Sequence, residues 1–150
     1  MGLRAPRLEE LDALTELCVR SKATWGYDQA FMDACRDELK ITQEQLKRDR
    51  CAVFEAAGEL LGFAQVSRSH QSTFIDKLFV RPDVQGQGVG KKLFDWCVET
   101  ARSEEAATLD IHADPGAVPF YERMGATQIG RVPSGSIPGR FLPHMTVRLR

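Results

Sequence analysis

Apolar and polar residues alternate over some stretches of this chain and recur every three to four positions over others, and the two periods divide it into elements. Leu3 to Leu8 reads as a short first strand. Glu9 and Glu10 stand where acidic side chains favour a helix N-terminus, and Leu11, Leu14, Leu17 and Cys18 follow at helical spacing through about Lys22. Ala23-Thr24-Trp25-Gly26-Tyr27 breaks that pattern. Asp28 is placed to cap a second helix, and Thr42 with Gln45 forms a capping box that opens a third. From Cys51 the period falls to two. Residues 51–56, 60–67 and 73–80 read as an antiparallel meander, turning at Ala57-Gly58-Glu59 and again in a polar turn around Arg68 to Ser72. Beyond Arg81-Pro82 a glycine-rich segment leads into a helix whose apolar stripe is Val89, Leu93, Cys97, Val98 and Ala101, ending near Ser103. Residues 107–111 are the next strand, 114–125 opens and closes a helix that stops at Gly125, and two last strands flank the loop from Pro133 to Arg140. This order predicts an α/β (α+β) fold in which helices cover a mixed sheet.

No repeat, low-complexity tract or long linker interrupts the pattern, and 150 residues is the size of one ordinary domain, so a single domain over 1–150 is expected. Twenty basic against 21 acidic side chains, with no long Lys/Arg run, leave no electrostatic footprint for nucleic acid or an anionic membrane. Neither partner is expected, and an anionic ligand must be caught locally, in a pocket. No apolar stretch approaches the roughly 18–20 residues of a membrane span, and MGLRAPRLEE lacks the apolar core of a signal peptide, so a cytoplasmic location is expected. Pro6 stands where a myristoylation motif requires Ser or Thr. Cys18, Cys35, Cys51 and Cys97 form no C-x-x-C pair, which points to reduced, mostly buried thiols and no metal site.

The segment Gln85-Gly86-Gln87-Gly88-Val89-Gly90 lies between a strand end and the start of an amphipathic helix, where unpaired N–H groups and the helix dipole make an anion site. Glycines admit the ligand close to the backbone, and Lys91 and Lys92 add positive charge, which suits a pyrophosphate or ribose phosphate. A tight turn with two solvated lysines is the plainer alternative. The spacing is one residue short of a P-loop, and it follows a meander rather than the first strand of a dinucleotide fold, so both of those readings are disfavoured.

Residues 78–90, with Gln85, Gly88 and Gly90 in the pattern Gln/Arg-x-x-Gly-x-Gly/Ala, resemble the acetyl-CoA loop of the GNAT superfamily of N-acetyltransferases. Asp114, Ala117, Phe120-Tyr121-Glu122 and Gly125-Ala126 resemble its second block, with Asp114 where Asn is usual and Gln85 where Arg is commoner. The likeness extends by element order over about residues 3–132. It implies a mostly antiparallel sheet with a splayed parallel pair, 73–80 and 107–111, holding the pantetheine arm of acetyl-CoA. It also implies cofactor contacts from Phe79, Val80, Gln85, Gly86, Gln87, Gly88, Val89, Gly90 and Lys91, largely through the main chain, with Asp114 and Ala117 beside them.

By the same resemblance Tyr121 is the candidate general acid for the departing thiolate, against the alternative of a core tyrosine packed beside Phe120, and a backbone N–H near Val80 is the oxyanion donor. Asp76 shares a strand face with Phe74, Leu78 and Val80 by simple alternation, which makes it either a base at the acceptor cleft or the partner of a nearby Arg. His112, at the end of the next strand, could serve as base instead or be structural; Glu122 reads as a solvated helix residue or a structural partner. Acceptor contacts are expected from the irregular segments 24–28 and 133–143, through Trp25, Tyr27, Ser136 and Arg140, against the alternative of simple turn chemistry with Trp25 as a core anchor. The implied activity is acetyl transfer from acetyl-CoA to a primary amine of a small molecule or peptide by direct attack in a ternary complex. A catalytically silent acyl-CoA sensor or partner-binding module of the same fold is the alternative, and a homodimer is compatible with either.

Overall fold

The computed structural model describes residues 2–69 and 72–150. The strands are β1 (Gly2–Arg4), β2 (Arg50–Ala56), β3 (Glu59–Ser69), β4 (Ser72–Val80), β5 (Thr108–His112), β6 (Thr127–Pro133) and β7 (Phe141–Arg148). The helices are α1 (Leu11–Ala23), α2 (Gln29–Leu39), α3 (Gln43–Arg48), α4 (Val89–Ser103) and α5 (Val118–Arg123). The strands form one sheet in the order β1-β2-β3-β4-β5-β7-β6, antiparallel throughout except where β4 meets β5. A core lies on each face. Leu93, Phe94, Cys97 and Ala101 of α4 pack with Ile75, Leu109 and Ile111 on one side, and Leu14, Cys18, Met32 and Cys35 of α1 and α2 pack with Val53 and Phe63 on the other. Each large side chain so buried contributes roughly 1.5–3 kcal/mol. Among the described residues no helix is long and apolar enough to cross a membrane.

Three sequence expectations are corrected. The first strand stops at Arg4 rather than Leu8, because Pro6 has no N–H to give the ladder and the Glu10 carboxylate draws the Arg7 N–H (2.8 Å) into a short 3-10 turn, Leu8–Glu10. Thr42 does cap α3 by accepting from Gln45 N at 3.3 Å, but the Gln45 side chain donates to the Lys40 carbonyl, so only half of the capping box forms. The tip of the turn expected around Arg68 to Ser72, at positions 70 and 71, lies outside the described residues.

The third correction concerns β4. Gln65 of β3 stands opposite Lys77 and Val66 opposite Ile75, so Asp76 is an extra, bulged residue. A bulge shifts the alternation of side chains by one. Ile75, Leu78 and Val80 therefore all pack on the α4 side while Phe79 joins the α1 side, and Phe74 and Leu78 cannot share a face. Asp76 is not set among apolar neighbours: its side chain is 47% exposed and lies 3.1 Å from Lys77 Nζ rather than beside an arginine.

Candidate active site

Among the described residues β4 and β5 pair only at Phe74–Asp110 and Ile75–Ile111, after which the strands part into a V. Beyond Asp76 the outer edge of β4 has no strand partner among the described residues. The Arg81 N–H donates toward β3, to the Leu61 carbonyl at 2.8 Å; alternation then turns the N–H groups of Val80 and Leu78 to the open side. A cavity of about 980 Å³ occupies the V and runs from the glycine segment to Trp25 and the β6–β7 loop.

At one end, Gly86 and Gly88 hold φ of +83° and +87°, a left-handed conformation that other residues adopt only with strain. Gly88 caps α4, and the N–H groups of that helix's first turn have no acceptor within the helix. A Cβ on Gly90 would stand 3.1 Å from the Phe120 ring, so α4 and α5 press together here. Gln85, Gly86, Gly88, Gly90 and Lys91 line this end of the cavity, and Phe79, Val80, Ala117 and Asp114 line it farther along. The Val89 side chain goes into the core instead, leaving only its main-chain groups for a ligand, and the exposed Gln87 stands outside the lining. Lys91 reaches Asp95 at 2.8 Å, but both side chains are mostly exposed, and such pairs hold weakly.

Midway along the cavity stand Tyr121 and Asp76. Tyr121 is 6% exposed, its ring edge-on to Phe120 at 5.2 Å. Burial, with smaller effects from Cys97 and Asp114, pushes its hydroxyl well above the ordinary phenol value, so it remains a proton donor throughout the neutral range. No cysteine lines the cavity among the described residues; burial raises Cys18 and Cys51 to about 12 and Cys97 further, so these thiols are not nucleophiles at neutral pH.

At the far end Asp114 gathers the acceptor-side segments. Its Oδ2 accepts from the Tyr27 hydroxyl at 2.7 Å and lies 3.4 Å from Lys22 Nζ and 3.5 Å from the Arg140 guanidinium; its Oδ1 accepts from Gly116 N at 2.9 Å. Burial alone would raise this carboxyl, but the hydrogen bonds from Tyr27 and Gly116, with the charges of Lys22 and Arg140, hold it below the usual carboxylate value. Burial, aided by that hydrogen bond, lifts Tyr27 to about 12. Arg140 also donates to the Tyr27 hydroxyl at 2.7 Å and lies over the Phe31 ring. Trp25, Ser136 and Arg140 line the cavity, whereas Tyr27 braces the wall from behind.

Sequence reasoning missed Lys22, Phe31, Lys77, Asp110 and His144. Lys77 is 5% exposed, 3.3 Å from Gln65 Oε1. Asp110 and His112 alternate with Leu109 and Ile111, so a polar face in the middle of the sheet was a readable signal. Their partners on β7, Thr146 and His144, required the register to be known.

A splayed parallel pair with an open backbone edge, leading from a glycine-rich helix N-terminus to a polar wall, defines an acyl-CoA-binding transferase fold. The family model for the acetyltransferase (GNAT) domain matches residues 10–134, and the chain belongs to that family. An uncharacterized N-acetyltransferase, ycf52, of Gracilaria tenuistipitata var. liui is 38% identical over 68 residues, 44% of this chain and 37% of its own length. The peptidyl-lysine N-acetyltransferase YjaB of Salmonella typhimurium is 35% identical over 74 residues, 49% of this chain and 46% of its own. The chain thus spans less than half the length of these curated relatives. A GCN5-related N-acetyltransferase of Rhodopseudomonas palustris, described also as a class-II aminotransferase, has a similar structure, with a TM-score of 0.83 at 25% identity over 99% of this chain and 95% of that one. The PaiA N-acetyltransferase of Thermoplasma acidophilum, solved with coenzyme A, shares the fold at a TM-score of 0.80 and 15% identity, over 97% of each chain.

Proposed function

We propose that this chain transfers an acetyl group from acetyl-CoA to a primary amine of a small molecule or peptide, by direct attack while both substrates occupy one cavity. The observation that carries the reading is the V between β4 and β5, which leaves main-chain donors facing a cavity that is continuous from the glycine loop to a separate polar wall. The pyrophosphate lies against the N–H groups around Gly86 to Lys91, where the charge favours the helix N-terminus. The pantetheine amides take the open edge of β4, and the thioester oxygen is received by the N–H of Val80 or Leu78. Those donors are fixed before the reaction and strengthen as charge develops on the oxygen.

Tyr121 gives its proton to the departing thiolate. Its raised pKa makes that transfer harder than for an ordinary phenol, but the same apolar surroundings raise a thiol as well, as the buried Cys97 illustrates, so the two groups stay closer than the Tyr121 shift alone implies. Asp76, exposed at the cleft, draws the cationic acceptor, and Trp25, Ser136 and Arg140 bound the space it enters. A ping-pong route through a cysteine would need a thiol at the cavity, and none lines it among the described residues. Release of free CoA, followed with a thiol reagent across a panel comprising a diamine, an amino acid, an aminoglycoside and a peptide with a free N-terminus, tests the proposal. Amine-dependent release supports it. Acetyl-CoA binding with no release on any member supports the silent sensor instead, and stabilisation by ATP but not CoA overturns both.

A further inference from the structure

Where β4 and β5 part, the next residues after the last pair are Asp76 on one lip and His112 on the other, and both line the cavity. The His112 ring is held between two neighbours, edge to face with Phe74 of β4 (centroids 5.0 Å) and with His144 of β7 (4.9 Å, 85°). His144 stands directly across the ladder from His112 and is itself fixed: its Nε2 lies 3.2 Å from Asp110 Oδ2, whose other oxygen accepts from the Thr146 hydroxyl at 2.6 Å. A chain of side chains, Thr146–Asp110–His144–His112, thus runs along one sheet face and ends at the cleft mouth. Nothing in the acid and oxyanion roles above uses it.

We propose that His112 is the catalytic base that takes the proton of the acceptor amine, and that His144 and Asp110 are the residues that position its ring. This rests on the acetyltransferase reading. An acceptor arriving as the ammonium ion loses one proton to His112, and the freed nitrogen lone pair forms the bond to the thioester carbon. As the C–S bond breaks, the thiolate takes the Tyr121 proton, the nitrogen gives up its second proton to restore Tyr121 through water, and His112, exposed at the rim, passes its own proton to solvent. A carboxylate at the usual pKa of about 4 is a poor acceptor for an amine proton, whereas an imidazole near 6.5 is better matched. Burial and the neighbouring His144 keep His112 below that value, against the opposing pull of Asp110 and Asp76, so it is neutral at pH 7 with a lone pair available.

The test has two arms. With acetyl-CoA and the best amine of the panel above, His112→Gln lowers kcat by about 10²–10³-fold while acetyl-CoA affinity and melting temperature hold, and exogenous imidazole restores activity to His112→Ala. The acid limb of kcat/KM follows His112, moving to higher pH in His144→Gln, where an opposing group is lost, and to lower pH in Asp110→Asn, where a supporting charge is lost. Loss of under threefold in His112→Gln, or an acid limb that neither variant moves, overturns the proposal. The second arm needs no acceptor: NMR titration of labelled histidines places His112 below about 6.5 and shifts it in those two opposite directions. A His112 titrating at or above that value overturns the proposal even if no amine on the panel turns over, an outcome that would separately count against the acetyltransferase reading.

Discussion

Tyr121 packs against Phe120 while bordering the cavity, so the substitution that separates packing from chemistry is the one that keeps the ring. Tyr121→Phe is expected to lower kcat by about 10²–10⁴-fold with acetyl-CoA Kd and melting temperature nearly unchanged. Single-turnover kinetics beside binding calorimetry check this, and a fall under threefold would make Tyr121 a packing residue. Gly116 tests the opposite wall. A Cβ there would stand 2.7 Å from the Trp25 ring, and Trp25 is 46% exposed, with room to swing outward. Gly116→Ala is therefore expected to raise the acceptor KM several-fold and leave the acetyl-CoA KM alone, which steady-state kinetics with each substrate varied will show. The Tyr121 position was legible because the Tyr-Glu block stands within a recognisable spacing. The role of Tyr27 was not, because its hydroxyl is spent on Asp114 and Arg140, 87 and 113 positions away, and no local pattern reports such pairing.

At the level of elements, the strands and helices followed from period alone wherever one face is buried, as in the α4 stripe of Val89, Leu93, Cys97 and Ala101. Period failed at the Asp76 bulge, since one inserted residue leaves composition untouched and is visible only in the pairing of β3 with β4. The loop before α4 gives a sharp prediction. Gly88→Asp puts a charge where the diphosphate must approach, and Gly88→Asn puts a neutral side chain of the same shape there, one that tolerates the left-handed conformation better than most. Titration calorimetry should find acetyl-CoA affinity lost far more in the Asp variant than in the Asn variant; equal losses would mean that backbone strain, not charge, governs the site. Asp114 ties the α1–α2 break, the β5–α5 turn and the β6–β7 loop together. Its pKa is held down in the folded state, so its stabilisation is complete above the unfolded value of about 4 and is lost as pH falls through the folded one. Asp114→Asn is expected to cost about 1–3 kcal/mol at pH 7, or roughly 3–10 °C, with the gap to the parent protein closing below about pH 4 in a series of thermal melts. A gap that stays constant into acid would remove Asp114 from this role.

For the molecule as a whole, the resemblance of two motif blocks carried the family, and the element order carried the sheet; the shape of the acceptor space depended on contacts between segments distant in sequence. Acetyl-CoA at a hundredfold over its Kd should stabilise the folded chain by about 2.7 kcal/mol, raising the melting temperature by roughly 5–10 °C. That would establish occupancy, but a silent sensor would show it too. In the proposed reaction one cavity holds both substrates at once, and the thiols of the core take no part. Initial velocities measured with acetyl-CoA and the best acceptor amine both varied test this most directly. Reciprocal plots should give lines that intersect, as transfer within a ternary complex requires. Parallel lines, with an acetylated enzyme trapped when the amine is withheld, would contradict it.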